Sequence, residues 1–206
     1  MARVYVYVDG FNLYYRALKG TPYKWLDLGA LCRQMLPGDQ IIAIKYFTAH
    51  VNARPRDPNQ PLRQQIYLRA LRTIPNLQIT LGHFLTNPVW LPLTGVRPMQ
   101  SVQVDRTQEK GSDVNLASHL LMDGFSGRYD LGVLITNDSD LGEPVRMVTR
   151  KLNLGVGILN PSQKHSAELV REATFKKRIR SSDLRAAQFP NQLTDAVGTF
   201  TKPRSW

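Results

Sequence analysis

Residues 131–144 read LGVLITNDSDLGEP, an apolar stretch that runs directly into two carboxylates, Asp138 and Asp140. The apolar part has the composition of a buried strand, and Pro144 suits the first position of the helix predicted over 144–152. One aspartate at such a junction is explained as a helix cap. The second needs a reason of its own, and a divalent-metal site would use both.

Strands and helices alternate on both sides of this stretch. Five apolar strands are predicted, at 3–8, 40–51, 77–85, 130–136 and 154–159. Strands separated by helices indicate an α/β fold with a parallel sheet covered on both faces. The proline-rich residues 86–106 predict a long excursion or a hairpin. Because the hydrophobic periodicity fades near the C-terminus, we expect one domain over 1–187 and a flexible tail over 188–206.

Composition limits the class of protein and of partner. The 206 residues include one cysteine, which excludes an internal disulfide, and contain no apolar run long enough for a membrane helix. We therefore expect a cytoplasmic protein that does not bind membranes. The formal net charge of +11 favours a polyanionic partner, because basic side chains that neutralise phosphates release condensed counterions.

Carboxylates stand where three predicted elements meet. Asp9 ends the first strand, Asp138 and Asp140 follow the fourth, and Asp113 begins the helix predicted over 111–125. Parallel strands end at the same edge of a sheet, and the helical period places Asp113 at the head of the buried helix face, pointing inward. Each aspartate alone is explained by a turn or a cap. Together, four carboxylates would repel one another unless a cation compensates them.

Three segments, in this order, resemble the NYN-domain (LabA-like) branch of the PIN-like nucleases: VDGFNLYY at 8–15, KGSDVNLA at 110–117, and TNDSDL at 136–141 followed by a proline. The resemblance covers roughly residues 3–160. It implies a three-layer α/β sandwich with a mainly parallel five-stranded sheet of order 3-2-1-4-5. It also implies phosphodiester hydrolysis, most often of RNA, with Mg²⁺ or Mn²⁺. By motif, the catalytic set is Asp9, Asn12, Asp113, Asp138 and Asp140, of which the four aspartates match the metal ligands.

Two positions depart from the family pattern. His119 stands where the helix motif often has a further aspartate, and Glu143 lengthens the spacing to the proline by one residue, giving DLGEP. Both departures favour an alternative in which the same fold is a non-catalytic module that binds RNA or a regulatory protein.

Basic and aromatic side chains are the candidates for holding the substrate. The predicted nucleic-acid-binding residues are Arg54, Arg56, Arg63, Lys110, Lys176 and Lys177. The tyrosines that could stack on bases are Tyr14, Tyr15, Tyr46 and Tyr67, although aromatic residues at these spacings are more often part of a core.

Other readings of the sequence are weaker or stay open. A phosphatase of the haloacid dehalogenase type needs a second acid two residues after Asp9, where this chain has Phe11. A dinucleotide-binding motif is absent, because GVGILN at 155–160 lacks the third glycine. The expected partner is RNA, single-stranded or structured, and the sequence is equally consistent with a homo-oligomer and with a regulatory protein partner.

Overall fold

The computed structural model describes residues 1–206 and shows a mixed α/β fold built on one seven-stranded sheet. Its strands are β1 (Arg3–Asp9), β2 (Gln40–Ala49), β3 (Leu77–Pro92), β4 (Ser101–Lys110), β5 (Leu131–Ile135), β6 (Gly155–Asn160) and β7 (Phe175–Arg178). They lie in the order β4-β3-β2-β1-β5-β6-β7, and all neighbours are parallel except β3 and β4.

The predicted count of five strands is therefore wrong by two. The five predicted strands do lie side by side as β3-β2-β1-β5-β6, with β4 and β7 added at the edges. The hairpin of β3 and β4 occupies the proline-rich segment, so the hairpin alternative is confirmed there. Pro88 and Pro92 lie on β3 beyond Gly82, where β3 pairs with β4 alone, and a strand with one free side tolerates residues that cannot donate a ladder hydrogen bond. Strand β7 has only four residues, FKKR, and its charges suit an exposed edge.

Helices cover both faces of the sheet, as the alternation of elements predicted. They are α1 (Gly10–Leu13), α2 (Leu28–Met35), α3 (Gln60–Leu71), α4 (Ser112–Phe125), α5 (Gly142–Lys151), α6 (Ala167–Glu172) and α7 (Ser181–Ala186). A π-helical turn, Tyr14–Leu18, continues α1, and a 3₁₀ turn, Ser139–Leu141, precedes α5. No helix combines the length and the apolar character needed to cross a membrane.

Alternate side chains of β1 lie in two separate apolar cores. Val4, Val6 and Val8 belong to the core shared with α2 and α3, whereas Tyr7 belongs to the core shared with α4 and α5. The separation follows from the two-residue period of a strand, whose successive side chains point to opposite faces of the sheet. With helices packed on each face, the fold has three layers.

The prediction of a flexible tail over 188–206 is wrong for most of that segment. Strands β8 (Gln192–Asp195) and β9 (Gly198–Thr201) form a hairpin, and Phe200 is buried in the larger core. The Arg69 guanidinium of α3 donates two hydrogen bonds of 2.7 Å to the Asp195 carboxylate. Short strands with few apolar residues leave little periodicity in the sequence, so contacts across the fold determine this structure.

Candidate functional site

Asp9 ends β1 at the carboxyl edge of the parallel sheet and is only 4% exposed. Its Oδ1 accepts a hydrogen bond of 2.9 Å from the Asn12 backbone amide, so Asp9 also caps α1. Its Oδ2 accepts one of 3.0 Å from the hydroxyl of Thr136, the residue that follows β5. Both carboxylate oxygens are thereby fixed in orientation.

Asp138 is held next to Asp9 by a hydrogen-bonded loop. The Asp138 amide donates to the Thr136 hydroxyl at 3.1 Å, and the Asn137 amide donates to the Asn12 Oδ1 at 3.0 Å. Asn12 was predicted in the catalytic set, and the structure gives its side-chain oxygen this bracing contact between the ends of two strands. The Asp138 carboxylate caps the 3₁₀ turn by accepting from the Asp140 amide at 3.1 Å.

Asp113 reaches the site from the first turn of α4. Gly111 precedes the helix at φ +100°, a conformation that favours glycine and lets the chain turn sharply out of β4. The buried stripe of α4 begins at Ser112 and continues through Leu116 and Leu120, so Asp113 does not head it as predicted. Its carboxylate does reach the acids at the strand ends, as expected. Asp113 lies about 100° around the helix from Ser112 and is exposed towards the cleft.

Asp9, Asp113 and Asp138 each offer one carboxylate oxygen within 4.8 Å of the other two. None of the three forms an ion pair with a basic side chain. The fourth predicted acid, Asp140, is exposed and lies outside this group.

The electrostatics of Asp9 and Asp113 reflect their burial first and their crowding second. Burial raises the pKa of Asp9 to about 6, and repulsion from Asp113 and Asp138 adds to the shift, while its two hydrogen bonds oppose it. Burial also raises the pKa of Asp113, with further contributions from Asp138, Glu109 and Asp140. A cation at this point would relieve the repulsion.

The three acids line an open cleft, which we call the acidic cleft. Its lining residues are Asp9, Phe11, Asn12, Tyr15, Arg16, Val51, Arg54, Phe84, Glu109, Ser112, Asp113 and Asp138. Sequence reasoning missed Arg16, Phe84 and Glu109. Arg16 stands one turn after Asn12, which was a usable clue, whereas Phe84 and Glu109 arrive only through the β3–β4 hairpin.

Of the six predicted nucleic-acid-binding residues, Arg54 and Lys110 lie at or next to the acidic cleft and the other four lie elsewhere. Arg54 lines the acidic cleft, and Lys110 ends β4 just before the helix that carries Asp113. Arg56 is exposed in the loop, and Arg63 is paired with Asp57. Lys176 and Lys177 lie on β7, two strands from β5, and the Lys177 ammonium donates to the Met35 carbonyl at 2.8 Å.

A second concavity, which we call the aromatic cavity, adjoins the acidic cleft and has a volume of about 340 Å³. It shares Phe11, Tyr15 and Val51 with the cleft. Its remaining lining residues are Gly10, Tyr14, Leu18, Lys24, Tyr46, Thr48, Asp57, Gln60, Arg63, Gln64, Tyr67, Ser205 and Trp206. All four tyrosines named from the sequence as candidate stacking residues line this one cavity.

His119 has a structural environment in this chain. Its Nδ1 lies 3.2 Å from the Lys45 ammonium, and its ring meets Phe47 edge-on with centroids 5.4 Å apart. Lys45 is in turn ion-paired with Asp123 of α4, and both side chains are buried. The helix position that departs from the family pattern therefore belongs to the contact between α4 and β2.

Comparisons with known proteins agree with the fold and the motifs. The NYN domain family matches residues 3–178. A relative from Pseudomonas putida, 6-hydroxy-3-succinoylpyridine 3-monooxygenase HspA, is 33% identical over an alignment of 235 positions, gaps included, which covers 99% of this chain and 75% of the relative. The crystal structure of a protein of unknown function from Vibrio parahaemolyticus is similar, with a TM-score of 0.58. That match covers 87% of this chain and 94% of the other at 16% identity, so it supports the fold alone.

Proposed function

Because this chain belongs to the NYN domain family, whose match spans residues 3–178, we propose that it is a divalent-metal-dependent nuclease acting on RNA. The observation that carries the proposal is the convergence of Asp9, Asp113 and Asp138 within 4.8 Å, with no basic side chain paired to them. The chain's formal charge of +11 adds support of a different kind, because a basic protein favours a polyanionic substrate such as RNA.

The donor set fits a hard cation such as Mg²⁺ or Mn²⁺, which prefers carboxylate oxygens and water. Asp9, Asp113 and Asp138 would hold it, and a bound cation would oppose the burial and the mutual repulsion that raise the pKa of Asp9 and of Asp113. When bound, such an ion lowers the pKa of a coordinated water and stabilises negative charge on a phosphate.

The chain's own residues position the acids and the substrate. Thr136 and the Asn12 amide fix the two oxygens of Asp9, and the Asn12 side chain fixes the loop that carries Asp138. Arg16 and Arg54 line the same cleft and can donate charge-assisted hydrogen bonds to a phosphodiester. Hydrolysis then adds the oxygen of water to phosphorus and releases one ribose oxygen as an alcohol.

The test is cleavage of end-labelled RNA, single-stranded and structured, in Mg²⁺, in Mn²⁺ and in EDTA. Asp9→Asn, Asp113→Asn and Asp138→Asn keep the side-chain shape and remove one negative charge each. We expect each variant to lose at least about 100-fold in rate, as happens when preorganised electrostatic groups are removed.

Asp39→Asn is the matched control. Asp39 immediately precedes β2, at the amino ends of the parallel strands, whereas the acids lie at the carboxyl ends. It forms no ion pair. The Asp39→Asn variant should cleave RNA at the rate of the wild type. Cleavage that persists in EDTA or in the three site variants would refute the proposal.

One observation favours the non-catalytic alternative, namely that Asp140 lies outside the group formed by the other three acids. A site with fewer ligands could bind RNA without cutting it. This alternative predicts salt-dependent RNA affinity in every variant and no cleavage with any divalent ion.

A second candidate activity comes from the Pseudomonas putida relative, whose name describes oxygenation of a hydroxypyridine that carries a succinoyl group. The aromatic cavity beside the acids is of a size that fits such a ring. Monooxygenation places one atom of O₂ on the substrate and reduces the other to water, so it needs a two-electron donor. Oxygen consumption that requires NADH and a hydroxypyridine carboxylate would favour this candidate over the nuclease.

The single cysteine, Cys32, is buried and unpaired, and burial raises the pKa of its thiol to about 12. One cysteine cannot form an internal disulfide, which is usual for the reducing cytoplasm in which we propose that the enzyme works.

A further inference from the structure

The aromatic cavity is held open by groups whose polar atoms are already satisfied. The Tyr67 hydroxyl donates to the Leu26 carbonyl at 2.9 Å. The Gln64 amide group is held on both sides, by the Ala49 carbonyl at 2.8 Å and the Val51 amide at 2.9 Å. These walls do not need to rearrange to accept a ligand, and a volume of about 340 Å³ lies in the range of small-ligand sites.

Aromatic rings form the boundary of the cavity on several sides. Trp206 closes one side, with its ring edge-on to Tyr67 at a centroid distance of 5.7 Å. Tyr14 and Tyr15, in the π-helical turn, meet each other edge-on at 5.2 Å. π-Helical turns occur frequently at functional sites. Such rings offer flat faces to a planar ligand rather than the branched contacts that suit an aliphatic one.

The charge of the cavity is opposite to that of the acidic cleft. Arg63 is ion-paired with Asp57, whereas Lys24 has no ion-pair partner. One uncompensated positive charge therefore faces a cavity with aromatic walls. The ligand that fits is a flat ring attached to an anionic group.

We propose that the aromatic cavity binds one nucleotide of the RNA substrate, with its base on the aromatic walls and its phosphate near Lys24, while the neighbouring phosphate of the chain lies in the acidic cleft. The proposal rests on the proposed nuclease function and adds a subsite to it. Phe11 and Tyr15 belong to both concavities, so a base and its neighbouring phosphate can occupy them together. Stacking on aromatic side chains is tolerant of base identity, so the cavity reads the presence of a base more than its sequence.

Calorimetric titration of the full chain in EDTA tests base binding separately from cleavage. The probes are the four nucleoside 5′-monophosphates, ribose 5-phosphate as the ligand without a ring, and 6-hydroxynicotinate as a small hydroxypyridine carboxylate. We expect the nucleotides to bind and ribose 5-phosphate not to bind. Tyr14→Leu should weaken nucleotide binding by about 5- to 150-fold, the range given by loss of one base–aromatic stack.

Phe125→Leu is the matched control, because Phe125 is an exposed aromatic residue at the end of α4 and does not line the cavity. It should bind nucleotides like the wild type. Equal affinity in Tyr14→Leu, or no nucleotide binding at millimolar concentration, overturns the proposal. So does binding of 6-hydroxynicotinate alone, which would make the cavity a site for a free heterocycle.

Asp113→Asn separates this proposal from the nuclease proposal. If that variant loses cleavage and keeps nucleotide binding, both proposals are supported. If the wild type never cleaves RNA but binds nucleotides in a Tyr14-dependent way, the nuclease fails and the base site stands. If it cleaves RNA but binds no nucleotide, only the base site fails.

Discussion

A buried ion pair joins the helix that carries Asp113 to the centre of the sheet. Lys45 of β2 and Asp123 of α4 are paired, with side chains only 6% and 4% exposed. Asp123 also accepts a hydrogen bond of 2.9 Å from the Tyr7 hydroxyl, and its second oxygen lies 3.7 Å from the exposed Arg128. Lys45 has no other acidic partner.

Removing either partner should be costly, and the two costs should differ. Asp123→Leu leaves the Lys45 ammonium buried without a counter-ion, a change that typically destabilises a protein by about 3–5 kcal/mol. That corresponds to a fall in Tm of about 6–20 °C for a chain of this length. Lys45→Met should cost less, because Tyr7 and Arg128 still satisfy the Asp123 carboxylate.

The double variant Lys45→Met/Asp123→Leu decides whether the pair acts as a unit. Urea unfolding of the wild type, both single variants and the double variant gives the coupling free energy. We expect the double variant to be more stable than Asp123→Leu, because no buried charge is left unpaired. Additive losses, with a coupling energy below about 0.5 kcal/mol, would refute the reasoning.

Three further predictions follow from local geometry. Gly10→Ala would place a Cβ 2.7 Å from the Phe47 carbonyl oxygen and from the Tyr46 ring. We expect urea unfolding to show a free energy of unfolding lower by about 1–3 kcal/mol, and unchanged stability would contradict this crowding. Burial and the neighbouring Lys45 lower the pKa of His119 below 6.5, so the unfolded chain binds this proton more readily. Stability should therefore fall as the pH drops below about 7, and the fall should be smaller in His119→Gln; equal pH profiles would exclude the effect. Mn²⁺ at 100 times its Kd should stabilise the wild type by about 2.7 kcal/mol, and Asp138→Asn should lose most of this gain in a thermal melt with an EDTA control.

The local patterns of the sequence were sufficient for the central elements of the fold. The strand predicted over 40–51 is β2, Gln40–Ala49, and the helix predicted over 111–125 is α4, Ser112–Phe125. Strand β2 is a nearly continuous apolar run, as burial on both faces requires, and α4 has the helical period of a face packed on the sheet. The edge strands were predicted only in part. The hairpin that adds β4 was one of two alternatives for residues 86–106, whereas β7 has four residues, three of them basic, which suit an exposed loop as much as an exposed edge.

The candidate site was predictable in its acids and much less so in its surroundings. The carboxyl ends of parallel strands meet at one edge, which brought Asp9 and Asp138 together as expected. Asp140 follows Asp138 by two residues and lies within the 3₁₀ turn that Asp138 caps, which leaves Asp140 exposed. No period in the sequence specifies such a turn. Glu109 and Phe84 enter the cleft only because the hairpin folds back, a contact that sequence spacing does not encode.

The stretch Asp9–Asn12 contributes residues to both concavities. Asp9 belongs to the acidic group, and Asn12 holds the loop that carries Asp138. Gly10 has no Cβ, which leaves the room that the Tyr46 ring occupies at the wall of the aromatic cavity. Phe11 lies in the boundary between the cleft and the cavity. Because a larger residue at position 10 would displace Tyr46, the glycine after the first aspartate is explained by the packing of the cavity, whereas the aspartate itself is explained by the charge of the cleft.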